Sequence, residues 1–286
     1  MNLILGTAQF GYNYGIANEH GKISINEAKK LINYCKKNNI FGFDTAESYG
    51  DAEKTLCKLI DNNTFKINSK INPDFNNNLN SLITNMEEKI EALKISYFDT
   101  LFIHDYDIYK KHTSAVENLF KVLKKKNLVK RFGISLYYPE QVLLLDKKMI
   151  FDVIQFPYNI FDRRFDSVKN YLEKFKNNFS ISLQVRSVFL QGLLLMPKNK
   201  IPSFFHKWDN LFDDWHAWHF KNNKKKLDSC IAFLFTNELI DSVVVGCDSV
   251  YQLDEIYNSL KKSKNAIFPN LSSNDINLLV PSLWRL

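Results

Sequence analysis

Eight short β-prone runs, each followed by an amphipathic stretch, constrain this chain more than any other feature. The runs are "LILGT", "FGFDT", "FKINSKI", "YFDTLFIH", "VKRFGIS", "FDVIQF", "FSISLQVRS" and "DSVVVG". Between them lie segments such as "INEAKKLINYCKKNN", in which Ala28, Leu31, Ile32 and Cys35 recur at helical spacing and make one apolar face. No Pro/Gly-rich linker or break in composition interrupts the alternation, so the pattern predicts one parallel α/β domain over residues 1–286. A closed (β/α)8 barrel and an open doubly wound sheet both satisfy it. An open sheet of the dinucleotide-binding kind would carry a Gly-rich phosphate turn straight after its first strand. Here the first strand runs into "GTAQFGYNYG", which has no GxGxxG spacing and no helix directly behind it. Polar residues instead end strand after strand, as the catalytic face of a barrel requires. The expected fold class is therefore α/β, a (β/α)8 TIM barrel.

Composition excludes several other roles. The apolar fraction of 45% supports a sizeable core, and the formal charge of +7 comes largely from short lysine runs such as Lys124–Lys126 and Lys224–Lys226. Such runs read as solvated helix faces rather than a nucleic-acid surface. No apolar run approaches the ~18 residues that would span a membrane, and no secretory leader is recognisable. Cys35, Cys57, Cys230 and Cys247 are widely spaced and form no CxxC or metal-like pairing. Reduced thiols in a cytoplasmic protein are the expectation.

The chemistry concentrates at three successive strand ends. Asp44 ends the second run and Tyr49 follows in the loop, Lys70 lies near the end of the third, and His104 ends the fourth. Singly, each has an ordinary reading: a helix cap, a packing ring, a lysine snorkelling from a strand, a satisfied buried imidazole. In a barrel the three strand ends are neighbours, so the four groups can share one pocket. Together they suit proton donation to a carbonyl oxygen. A free tyrosine, with a pKa near ~10, is a poor acid at neutral pH. An adjacent ammonium would lower that pKa, a carboxylate would hold the ammonium in place, and a histidine donor would orient the substrate oxygen.

With these residues in place, "FDTAESYGDAE" resembles the FDTAxxYGxxE signature of the aldo-keto reductase family, position for position, and the resemblance extends over nearly the whole chain. It implies a nicotinamide-dependent barrel in which Tyr49 donates the proton, Lys70 and Asp44 tune it, and His104 orients the carbonyl. For the cofactor, NADPH or NADH, it implies Gly6, Thr7 and Ala8 after the first strand, together with Asp44. "FGISLYYPE" is similar to the family's GxSN segment and gives Ser135, with Leu136 in place of the usual Asn. "QFPYNIFDRR" gives Gln155 a direct cofactor contact and Asn159 a bracing one. "VRSVFLQGLL" resembles the pyrophosphate segment and gives Ser187, Leu190 and Gly192, with Arg186 replacing an aromatic that stacks on the nicotinamide. A guanidinium there can stack, or pair with a phosphate or an anionic substrate. "VVVGCDSVYQLDEI" resembles the adenosine-binding helix and gives Gly246, Gln252 and Glu255. Asp248 stands where many members have Arg, an acid that would repel a 2′-phosphate and suit a ribose hydroxyl.

The segment "IPSFFHKWDNLFDDWHAWHF" is the remaining peculiarity. His206, His216 and His219 lack the acidic spacing of a metal site, and no metal is expected. Leu211, Phe212, Trp215 and Trp218 make an apolar helix face that packs on the barrel rim or forms a partial lid. The expected activity is reduction of a small aldehyde or ketone. The short segment after the eighth helix suggests an open pocket. With Arg186, and with an opening "LILGTAQFGYNYGIAN" that resembles reductases of bacterial surface-sugar synthesis, this points towards sugar or nucleotide-sugar carbonyls and carbohydrate biosynthesis. Two other classes remain open at this stage: a nicotinamide-binding regulatory subunit, and a sugar epimerase or isomerase that uses the cofactor transiently.

Overall fold

In the computed structural model, the eight strands close into a parallel barrel in chain order, β1 to β8, with β8 pairing back onto β1. The structure describes all residues except 61–63, 77, 146–149, 263–266 and 286. The strands are β1 (Asn2–Gly6), β2 (Gly42–Asp44), β3 (Lys66–Ile71), β4 (Phe98–Ile103), β5 (Val129–Ser135), β6 (Val153–Pro157), β7 (Ser182–Arg186) and β8 (Ser242–Val245). All eight expected runs are strands, and the barrel rather than the open sheet is what they form.

Helices cover the outer faces because their sequences bury one stripe each. Ile25–Lys37 turns Ala28, Leu31, Ile32 and Cys35 inwards and starts at Ser24, whose hydroxyl accepts the Glu27 amide. Leu79–Ala92 is capped in the same way by Asn78 and buries Leu82, Ile83, Met86 and Ile90. All four cysteines are free. Among the described residues no helix is long and apolar enough to cross a membrane.

The barrel axis is where this sequence departs from an ordinary core. Barrel interiors are usually filled with branched apolar side chains. Here Asp44, Asn68, Lys70, Gln155 and Gln184 are all buried, and several of them bond to one another across the interior. Space for the buried Phe102 ring is made by Gly133 on the adjacent strand. A Cβ on Gly133 would come within 2.3 Å of that ring.

Candidate active site

The carboxyl ends of β2, β3 and β4 bring Asp44, Lys70 and His104 together, and the loop after β2 adds Tyr49. Lys70 and Asp44 form a buried ion pair, with side-chain exposures of 1% and 3%. The second Asp44 oxygen accepts Gln155 Nε2 at 2.8 Å, so Asp44 is a partner of the ammonium and not a helix cap. Lys70 Nζ lies 5.2 Å from the Tyr49 ring centroid, and the Tyr49 and His104 rings are 6.2 Å apart. The Tyr49 loop is pinned by close backbone packing. A Cβ on Gly11 would collide with the Tyr49 carbonyl at 1.6 Å, and Gly50 has the left-handed φ of +54° beside it.

Protonation in the site follows from burial. Desolvation, then the Asp44 charge, hold the Tyr49 phenol well above its ordinary pKa, while Arg186 pulls it down. Burial and the Asp44 charge outweigh the lowering expected from Lys70. Burial also lowers the Lys70 ammonium, against the opposing pull of Asp44. His104 is depressed to about 3 by burial and by the charges of Lys70 and Arg186, so its imidazole is neutral at physiological pH. The Ser48 hydroxyl lies 3.4 Å from His104 Nδ1. With that hydroxyl as donor, the ring proton resides on Nε2.

Asp44, Ser48, Tyr49 and His104 line one side of a cleft of about 880 Å³, whereas Lys70 is buried and does not line it. Of the residues expected to hold a dinucleotide, Gly6, Ala8, Asp44, Arg186, Ser187, Gly192, Gly246, Asp248, Gln252 and Glu255 line it. Thr7, Ser135, Gln155 and Leu190 do not: each is fully or almost fully buried. Thr7 donates to the Asp44 carbonyl at 3.1 Å. Leu190 packs in the core in a stretch where Ser187, Leu190 and Gln191 all have left-handed φ between 48° and 60°, a strained loop of the kind that recurs at binding sites. Gln155 gives its amide protons to Asp44 and Gln184, and so positions Asp44 rather than facing the cleft.

Arg186, at the end of β7, donates to the Leu136 carbonyl at 3.2 Å, with its guanidinium 4.1 Å from the Tyr137 ring centroid. Leu136 itself is a core residue. Ser135 Oγ and Gln155 Oε1 are buried with no hydrogen-bond partner among the described residues, and Asp248 Oδ1 and Gln9 Oε1 are also unpaired. A carboxamide, which both donates and accepts, matches the first two atoms; a ribose hydroxyl matches Asp248. Burial raises the Asp248 pKa, and its backbone N–H donates to Gln252 Oε1 at 2.8 Å. The donor set fits a nicotinamide dinucleotide.

Several lining residues carry no signal in the sequence analysis. Tyr12, Tyr14 and Glu19, from the loop after β1, close one wall, and Glu19 pairs with Lys200 across the cleft at 2.8 Å. The "GYNYG" tyrosines were the available clue. Conversely, none of residues 202–220 lines the cleft, so the lid reading of that segment is corrected. Helix Asp209–Asn222 buries Phe212 and Trp215, and the Trp215 indole donates to the Leu194 carbonyl at 2.9 Å. Asn159 braces the loop as expected, donating to the Ser187 carbonyl at 2.9 Å. Among the described residues, no group of three or more His, Cys, Asp or Glu is placed to hold a metal ion.

Comparison with known proteins agrees with this geometry. The sequence pattern described as the aldo/keto reductase family matches residues 2–267. A search of curated proteins finds no match. Among solved structures, an aldo-keto reductase from Bacillus halodurans in its holo form aligns with a TM-score of 0.72 at 16% identity, over 93% of this chain and 88% of its own. The glycerol dehydrogenase of Gluconobacter oxydans aligns at 0.67 and 16%, over 93% and 87%. A Pseudomonas aeruginosa protein described as an aldo-keto reductase aligns at 0.66 and 18%, over 90% and 88%. At these identities the structural likeness speaks for the fold.

Proposed function

The chain belongs to the aldo/keto reductase family and is an oxidoreductase, and we propose that it reduces a small polar aldehyde or ketone with Tyr49 as the proton donor and a nicotinamide dinucleotide as the reductant. The observation that carries this reading is the meeting of Tyr49, His104 and the Lys70–Asp44 pair at one end of the barrel. When bound, the dinucleotide supplies hydride to the carbonyl carbon.

The chain's own groups supply the rest. Tyr49 is held protonated by burial, so it is a loaded acid at neutral pH. As the carbonyl oxygen gains charge, the phenol passes its proton to it, and the phenolate left behind is stabilised by Lys70 and Arg186. Neutral His104 donates from Nε2 to the same oxygen and fixes the face presented to hydride. Ser135 and Gln155 would hold the carboxamide, Ser187 and Gly192 the pyrophosphate, and Gly246, Gln252 and Glu255 the adenosine. Asp248, with one unpaired oxygen, favours a free 2′-hydroxyl, and hence NADH over NADPH. Arg186 at the mouth favours a substrate that carries an anion, such as a sugar acid or a nucleotide-sugar carbonyl.

Absorbance of the reduced dinucleotide against a panel of carbonyls tests the proposal. Tyr49→Phe should lose about 10²- to 10⁴-fold in kcat with dinucleotide affinity nearly unchanged, the usual range for removal of a general acid. Activity retained within a few-fold would remove Tyr49 from the mechanism. A protein that binds the dinucleotide but turns over no carbonyl would favour a regulatory role instead.

A further inference from the structure

The opposite mouth of the barrel holds a second cavity, of about 640 Å³, which shares no lining residue with the catalytic cleft. Its lining includes Asn68, Gln184, Arg131, Lys66, Ser182 and Ser242. Asn68 is 2% exposed, yet its side-chain carbonyl oxygen has no hydrogen-bond partner. A buried acceptor left unpaired costs about 1–3 kcal/mol, so it asks for a donor. Gln184 uses its oxygen on Gln155, while its amide nitrogen has only a long contact of 3.4 Å to Ser242 Oγ, leaving donor capacity. The charges are also uneven. Asp99 is paired with Arg131, and Asp241 is paired with Lys176 at 2.6 Å, which leaves Lys66, Lys261 and the Met1 amino group lining the cavity with no carboxylate partner among the described residues.

We propose that this cavity is a binding site for a small hydroxylated anion, of the size and type of a sugar acid. A hydroxyl of such a ligand donates to Asn68 Oδ1. Its carboxylate accepts from the amide of Gln184 and from the guanidinium of Arg131, and is drawn in by Lys66 and Lys261. Neutral polyols lack the charge, and simple carboxylates lack the donor. The cavity floor is also the far end of the bonded series Gln184–Gln155–Asp44, so an occupant touches the network that holds the catalytic carboxylate.

Calorimetric titration of the intact protein with D-gluconate tests the site, with glucitol and acetate as comparators. Saturable binding of gluconate is expected, with both comparators at least about tenfold weaker, the worth of one polar or charged contact. Asn68→Leu and Lys66→Glu should each weaken gluconate about tenfold. Lys66 is exposed, so its substitution keeps the test open if Asn68→Leu does not fold. No saturable binding, or binding that survives both Asn68→Leu and Lys66→Glu, would each overturn the assignment.

Discussion

Replacing Lys70 by Met should destabilise the protein in a way that depends on pH. The ammonium is 1% exposed and its partner Asp44 3%. Once it is gone, the carboxylate keeps only the 2.8 Å bond from Gln155 Nε2 as charge compensation from a side chain. Breaking a buried pair by removing one partner costs about 3–5 kcal/mol. Burial without a cation favours the neutral form of the Asp44 carboxyl, so the native variant keeps a proton that its unfolded chain releases, and its stability falls as pH rises above the ordinary carboxylate range. The penalty against wild type should be small in acid and grow by about 1.4 kcal/mol per pH unit before it levels off. Urea unfolding at a series of pH values, read from midpoints at constant m, measures this directly. Adding Asp44→Asn to the variant should remove most of the pH dependence. A penalty that is flat with pH, or below about 1 kcal/mol at neutrality, would refute the view that Asp44 is a buried charge held by Lys70.

Three other outcomes follow from the same geometry. Asp248→Arg should shift dinucleotide preference towards NADPH by about 1–3 kcal/mol, the range for a hydrogen bond to a charged group; an unchanged ratio in binding titrations would place the phosphate elsewhere. Arg186→Ala should lower kcat/KM selectively for anion-bearing substrates, and the wild-type preference should shrink with salt; an equal loss for every substrate would assign Arg186 to the cofactor. His104 is depressed to about 3 in the folded protein, so the unfolded chain binds the extra proton between that value and about 6.5 and stability is lost as pH falls through this window. His104→Gln should flatten the acid limb of a stability–pH curve, and an unaltered limb would remove His104 as its source.

How far the sequence could be read depended on whether a feature is local. The strands were legible because each apolar run is short and bounded, and the signature around Tyr49 was legible because it is contiguous. Element positions and the meeting of Asp44, Tyr49, Lys70 and His104 followed from strand order alone. Whether Gln155 faces a ligand or the barrel axis was not local. That depends on Gln184 and Asp44, 29 and 111 residues away in sequence, competing for its amide. The walls from Tyr12, Tyr14 and Glu19 were missed for a similar reason: a loop without periodicity has no pattern that tells which side chain turns inward.

The same long-range competition bears on how the site is poised. A tyrosine beside a lysine suggests a phenol made acidic by its neighbour, yet Lys70 is paired with Asp44, and burial together with the Asp44 charge holds the phenol protonated. With Tyr49 in the proposed role of acid, its proton is held by desolvation and would be released as negative charge appears on the substrate oxygen, without a low resting pKa. Arg186 pulls the phenol downward and is tied to the Leu136 carbonyl at 3.2 Å. On the proposed reading, a dinucleotide that moved this side chain would change the field on Tyr49, and cofactor binding and the strength of the acid would be linked through one residue, at the position where the family resemblance places an aromatic.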